Sequence, residues 1–201
     1  VFTKVKIKSF FFQLFTIAAG VYLGVIGGNW NDSRKSREAQ AVFLDNISME
    51  IRANLKNMEM SLRKHEAMKI SMEKLMETVD EEFLNQKFLA NDGFQMIDEW
   101  QGFGVNKPNQ NVFKTGLNTN VFSELDFEIS SLISGIYSRF DGYTEFTDSI
   151  LDRALFELNP DTKTQDVFFI IELITTDVLS NERRLLDKVN KSIEKLEKLK
   201  K

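Results

Sequence analysis

The chain has 201 residues, 26 Lys and Arg against 30 Asp and Glu, and a net charge of −4 at pH 7. That balance excludes a nucleic-acid binder driven by bulk charge. The absence of cysteine excludes disulfides, thiolate metal sites and cysteine nucleophiles, and a single histidine, His65, excludes a metal site built on two histidines of one chain. Two prolines and ten glycines argue against an all-β sandwich, while eighteen phenylalanines point to a large apolar core or large buried contacts.

The first element is an apolar stretch. No charge occurs between Ser9 and Asn31, and Phe10 to Trp30 is 21 residues, about 31 Å as a helix. Lys4, Lys6 and Lys8 precede it; Arg34, Lys35 and Arg37 follow it. The expected element is a single-pass transmembrane anchor over residues 1–33, with Trp30 as its interfacial aromatic. A cleaved signal peptide has a shorter apolar core, and a soluble helix keeps a polar face. Thr16, Gly20, Gly24 and Gly28 recur every fourth position and form a membrane helix-packing face. The basic flanks lean toward a large domain outside the membrane.

Residues 34–201 read as an all-α bundle of long antiparallel helices. The first helix covers 34–89, free of proline and glycine, with a heptad-like stripe through Leu44, Ile47, Ile51, Leu55, Met58, Leu62, Met72 and Met76. That stripe packs as a coiled coil either within or between chains. His65 lies on it and reads as a core or edge residue. Five methionines between Met58 and Met76 read as adaptable core filler. An irregular region covers 90–122, with turn signals at Asn91-Asp92-Gly93 and a short helix over 112–116. A helix over 123–158 starts on Ser123 with Asp126 as a capping-box pair and stops at Asn159-Pro160. The last helix covers 164–200, apolar nearly all round over 167–174. Phe94, Trp100, Phe103, Phe113 and Phe122 gather around the irregular region, either as a core cap or as a candidate pocket for a ligand or partner.

The search for chemistry returns no catalytic, cofactor-binding or metal set. There is no glycine-rich phosphate loop, no nucleophile elbow and no zinc-protease motif. Acidic runs such as Asp80-Glu81-Glu82 read as solvated helix faces. The expectation is a protein without enzymatic activity and without a cofactor.

The anchor resembles that of a family of uncharacterised single-pass bacterial membrane proteins. The matching residues are Phe11-Phe12-Gln13-Leu14, Ala19-Gly20-Val21 and Gly28-Asn29-Trp30-Asn31-Asp32 with Arg34-Lys35; the family usually has glutamate where this chain has Gln13. A second pattern is similar to Asn111-Val112-Phe113-Lys114-Thr115-Gly116 with the following stretch 122–143. The resemblance implies a bacterial inner-membrane protein with a helical, periplasmic domain, and nothing chemical. The expected function is a membrane-anchored interaction or scaffold protein, an oligomer or accessory subunit of a membrane complex. Its expected partners are membrane lipid and, through the glycine face, itself or other membrane subunits, with no nucleic acid. The alternative is a helical sensor-type domain that binds a small ligand between helices and signals through a partner.

Overall fold

The computed structural model describes residues 2–90, 93–98, 100 and 102–200; the side chains of 2–15, 17, 18, 24–31, 155 and 157 lie outside the description. Helix α1 (Phe2–Met76) runs unbroken past the expected boundary at residue 34, about 110 Å at 1.5 Å per residue. It ends thirteen residues before the expected position 89. After Met76 the Thr78 hydroxyl donates to the Leu75 carbonyl, and Asp80 caps the short helix α2 (Glu81–Leu84) by accepting from the Phe83 amide at 2.8 Å.

Residues 102–110 form an extended strap that returns along α1 to helix α3 (Asn111–Leu117) and the single turn α4 (Asn120–Ser123). Helix α5 (Phe127–Glu157) starts later than the expected Ser123, because Asp126 is its N-cap and accepts from the Glu128 amide at 2.7 Å. Pro160 follows its end. Helix α6 (Thr164–Leu173) passes through a π-helical turn, Ile174–Val178, into helix α7 (Leu179–Leu199). The one strand-like feature among the described residues is an isolated bridge, Lys87 to Lys163. Around it Phe88 donates to the Thr162 carbonyl and Thr164 to the Gln86 carbonyl, both at 2.9 Å, which ties α2 to the start of α6.

The main core joins Ile47, Ile51, Leu55 and Met58 of α1 to Ile133, Ile136, Tyr137 and Phe140 of α5, to Val178 at the end of the π turn and to Leu185, Val189 and Ile193 of α7. From Ile47 to Met58 the heptad-like stripe is therefore satisfied inside the chain, which corrects the coiled-coil expectation: there its apolar face is already covered by α5 and α7. A second cluster joins Met68, Met72, Phe88, Ile97, Val167, Phe168 and Ile171. The all-α bundle stands.

The expected transmembrane anchor does not. Among the described residues no helix is long and apolar enough to cross a membrane. Within residues 9–31 the described side-chain positions are Thr16 and 19–23. Thr16 and Gly20 are exposed, and among the described residues nothing lies within 4 Å of a Cβ built on Gly20. The side-chain positions of Gly24, Gly28 and Trp30 lie outside the described residues. The inner-membrane location, the periplasmic domain, the lipid partner and the glycine-mediated contact with itself or other membrane subunits lose their basis together.

Gly116 shows how tightly α3 seats on α1: a Cβ there would overlap the ring of the buried Phe43. Gly142, exposed in α5, has nothing within 4 Å of the same added atom. Gly116→Ala is expected to destabilise by about 1–3 kcal/mol through overpacking. Gly142→Ala is expected to stabilise by about 0.5–1 kcal/mol through helix propensity. Thermal unfolding of the two variants checks the opposite signs.

Candidate functional site

Two buried lanes run side by side along α1. The apolar lane faces α5 and α7. The adjacent lane is polar: Glu50, Asn54, Ser61 and His65, all buried, recur at the same helical period and face the strap. A half-buried extended segment without a partner strand must find hydrogen bonds elsewhere for its covered groups, and this lane supplies them. Asn54 donates to the Asn109 carbonyl at 2.7 Å and accepts from the Asn109 amide at 2.8 Å, as a neighbouring strand would. Ser61 donates to the Gly104 carbonyl at 2.8 Å and accepts from Asn106 Nδ2 at 2.8 Å. Gln110, the N-cap of α3, makes no side-chain cap. Glu50 replaces it from α1, accepting from the Val112 amide at 2.8 Å and the Phe113 amide at 3.4 Å.

His65 closes the lane. Its Nε2 lies 2.7 Å from the Phe103 carbonyl, which only accepts, so Nε2–H donates there. Its Nδ1 lies 2.8 Å from Glu182 Oε2 on α7. The Tyr143 hydroxyl donates to the other oxygen, Glu182 Oε1, at 2.8 Å. His65 and Glu182 are both 0% exposed. A buried carboxylate whose oxygens both accept hydrogen bonds avoids the large cost of a lone buried charge. Among the described residues no buried side-chain nitrogen or oxygen lacks a partner. Gly104, at φ 69°, lets the strap pass over the imidazole: a Cβ there would stand 3.3 Å from Nε2.

The polar network is sealed, so it offers no group to a ligand. An accessible concavity lies one to three turns further along. It is a half-open groove of about 880 Å³ between the end of α1, α2, α6 and the π turn. Met72, Leu84 and Phe168 form its apolar floor, Met76 and Phe169 stand half-exposed at its mouth, and Lys69, Glu73, Glu77 and Glu172 rim it. The π turn supplies Thr175 and Thr176. Their hydroxyls donate back to the Ile171 carbonyl at 2.9 Å and the Glu172 carbonyl at 2.6 Å, feeding carbonyls that the widened turn leaves short of α-helical partners. Among the described residues no group of three or more His, Cys, Asp or Glu is placed to hold a metal.

The structure divides the five aromatic residues singled out in the sequence. Phe94, Trp100 and Phe103 form one group: Phe94 stacks on Trp100 at 4.4 Å and Phe103 meets Trp100 edge-on at 5.3 Å. Phe113 and Phe122 form another, with Phe113 stacked on Tyr137 at 4.1 Å and edge-on to Phe122 at 5.6 Å. The cleft beside Trp100 holds about 50 Å³, well short of the roughly 300 Å³ at which ligand pockets begin. The groove residues Met76, Phe168 and Phe169 are brought together instead. Sequence reasoning placed Met76 on the apolar stripe and missed Phe168 and Phe169 because the stretch 167–174 reads as deeply buried, whereas Phe169 is 48% exposed. The surplus of methionine was the available signal, since such side chains also serve adaptable binding surfaces.

No protein-family model, curated protein or solved structure matches this chain. The resemblance to single-pass membrane proteins is corrected with the anchor that carried it.

Burial pushes the Tyr137 hydroxyl well above the usual tyrosine range, reinforced by its hydrogen bond to Glu50 and that carboxylate's charge. Burial does the same for Tyr143, followed by the charge of Glu182 and the hydrogen bond to it. A folded-state value above the unfolded one gives stability that is complete below about pH 10 and lost as pH rises beyond it, because the unfolded chain releases these protons first. An alkaline titration followed by tyrosinate absorbance and circular dichroism is expected to show two of the three tyrosines ionising only as helicity is lost. Ionisation of all three with the helices intact would contradict the network.

Proposed function

We propose that this chain is a helical sensor-type domain that binds a small molecule between α1 and α6 and passes the event to a partner. The observation that carries the reading is the groove: about 880 Å³, apolar in its floor and polar at its rim, a volume in the range of small-molecule sites. A π-helical turn in its wall supports it, because such turns cluster at functional sites and have an α-helical alternative nearby in energy. Glu182 lies one turn beyond that element, so a change in the turn's register bears directly on the His65 contact. Helix α1 runs without interruption from the groove back to Phe2 and is the element suited to carry the output.

The reading assigns binding rather than catalysis. The histidine and its carboxylate partner are sealed at 0% exposure, which keeps them from any substrate.

The test uses the full chain and the neutral apolar probe N-phenyl-1-naphthylamine. Saturable fluorescence enhancement at one probe per chain is expected. Met76→Trp, a large side chain placed at a half-exposed position of the groove mouth, is expected to abolish binding while leaving the unfolding temperature within a few degrees. An unsaturable signal, or undiminished binding by the variant, would contradict the reading.

A further inference from the structure

We infer that the groove takes a cationic amphiphile: one positive head group on an apolar body. The inference rests on the reading of the groove as the ligand site and adds the chemical class. Of the residues lining the groove, three are carboxylates, Glu73, Glu77 and Glu172, and one is an ammonium, Lys69. Lys69 is already within 3.9 Å of Glu73, so it does not stand free to meet an anion. An anionic head would meet the carboxylates with no unengaged cation in the lining. A neutral head would leave the negative rim unused. A cationic head gains from Glu77 and Glu172, the two carboxylates that Lys69 does not engage, while its chain covers Met72, Leu84 and Phe168.

Phe169 adds a second reason. Its ring is half-exposed at the mouth and already attracts one cation, the Arg153 guanidinium at 5.9 Å from the centroid. Arg153 itself lines the neighbouring depression with Asp166, not the groove, so it leaves the negative rim intact. A quaternary or protonated amine at the mouth that reaches a face of this ring would meet its negative π surface and the carboxylates together.

The probes are octyltrimethylammonium, octanol and octanoate, each below its micelle concentration, titrated calorimetrically into the full chain at low ionic strength. The expected result is one octyltrimethylammonium per chain, about tenfold tighter than octanol, with octanoate weakest. Tenfold corresponds to a few exposed charge contacts acting together. Added salt should narrow the gap. The triple variant E73Q/E77Q/E172Q, altered only at exposed positions, should bring the cation down to the affinity of octanol and leave octanol unchanged. Equal binding of the three probes, or preference for octanoate, overturns the cationic class and leaves the groove as an apolar site. Cation binding that survives Met76→Trp also overturns it, since the site then lies elsewhere. No binding of any probe overturns both the class and the groove.

Discussion

The fold depends on one hydrogen-bonding lane. Residues 102–110 run extended and largely covered, with no strand beside them, and α1 offers side chains where a strand would offer backbone. Asn54 matches both the donor and the acceptor of Asn109, and Glu50 stands in for the missing cap of α3. Once the strap is placed, the rest follows in order. The capped α3 presses Gly116 against Phe43 and seats Phe113 on Tyr137. The hydroxyls of Tyr137 and Tyr143 bind α5 to the same carboxylates that hold α1 and α7. His65 and Glu182 then fix α7 one turn after the π turn, and the π turn forms the wall of the groove.

Such a network is costly unless complete. A carboxylate shut away from water needs several donors, and here each buried carboxylate has them: two amides and a hydroxyl for Glu50, an imidazole and a hydroxyl for Glu182. Completeness is what makes the network specify one register of α1 against the strap. A one-residue slip would strand every member at once. The groove is built on the opposite principle. Its mouth is half-open, lined by flexible methionine and by a helical turn with poor hydrogen-bond economy, so it can adapt without disturbing the sealed lane.

Much of the helical frame was legible because helical periodicity dominates the chain. The apolar stripe through Ile47, Ile51, Leu55 and Met58 marks the buried face of α1, and Pro160 marks the break before α6. The polar lane was not legible in the same way. Glu50, Asn54 and Ser61 carry the same period as the apolar stripe, but polar residues at that spacing ordinarily mark the solvated edge of a helix. Only the return of the strap turns that edge inward, and the strap has no periodicity to announce it. The start of α5 moved from Ser123 to Asp126 because the nearer capping residue competes for the amides. The candidate site shifted for a related reason. Aromatic composition around Trp100 drew attention to the irregular region, yet those rings fill each other's space. The groove arises where α1 outlasts its apolar neighbours, which depends on where α2 and α6 are stitched together by the 86–88 and 162–164 backbone.

Native-state hydrogen exchange on the full chain tests the central claim most directly. The amides of Asn109 and Val112 lie outside regular backbone ladders: one is in the strap, the other in the unpaired first turn of α3. If the lane on α1 holds them, both should exchange as slowly as core amides of α5. Asn54→Ala should release Asn109 selectively, by at least tenfold, while the α5 amides stay protected. Fast exchange of Asn109 and Val112 in the unaltered chain, with α5 protected, would mean that the strap is not pinned and that the account of the fold is wrong.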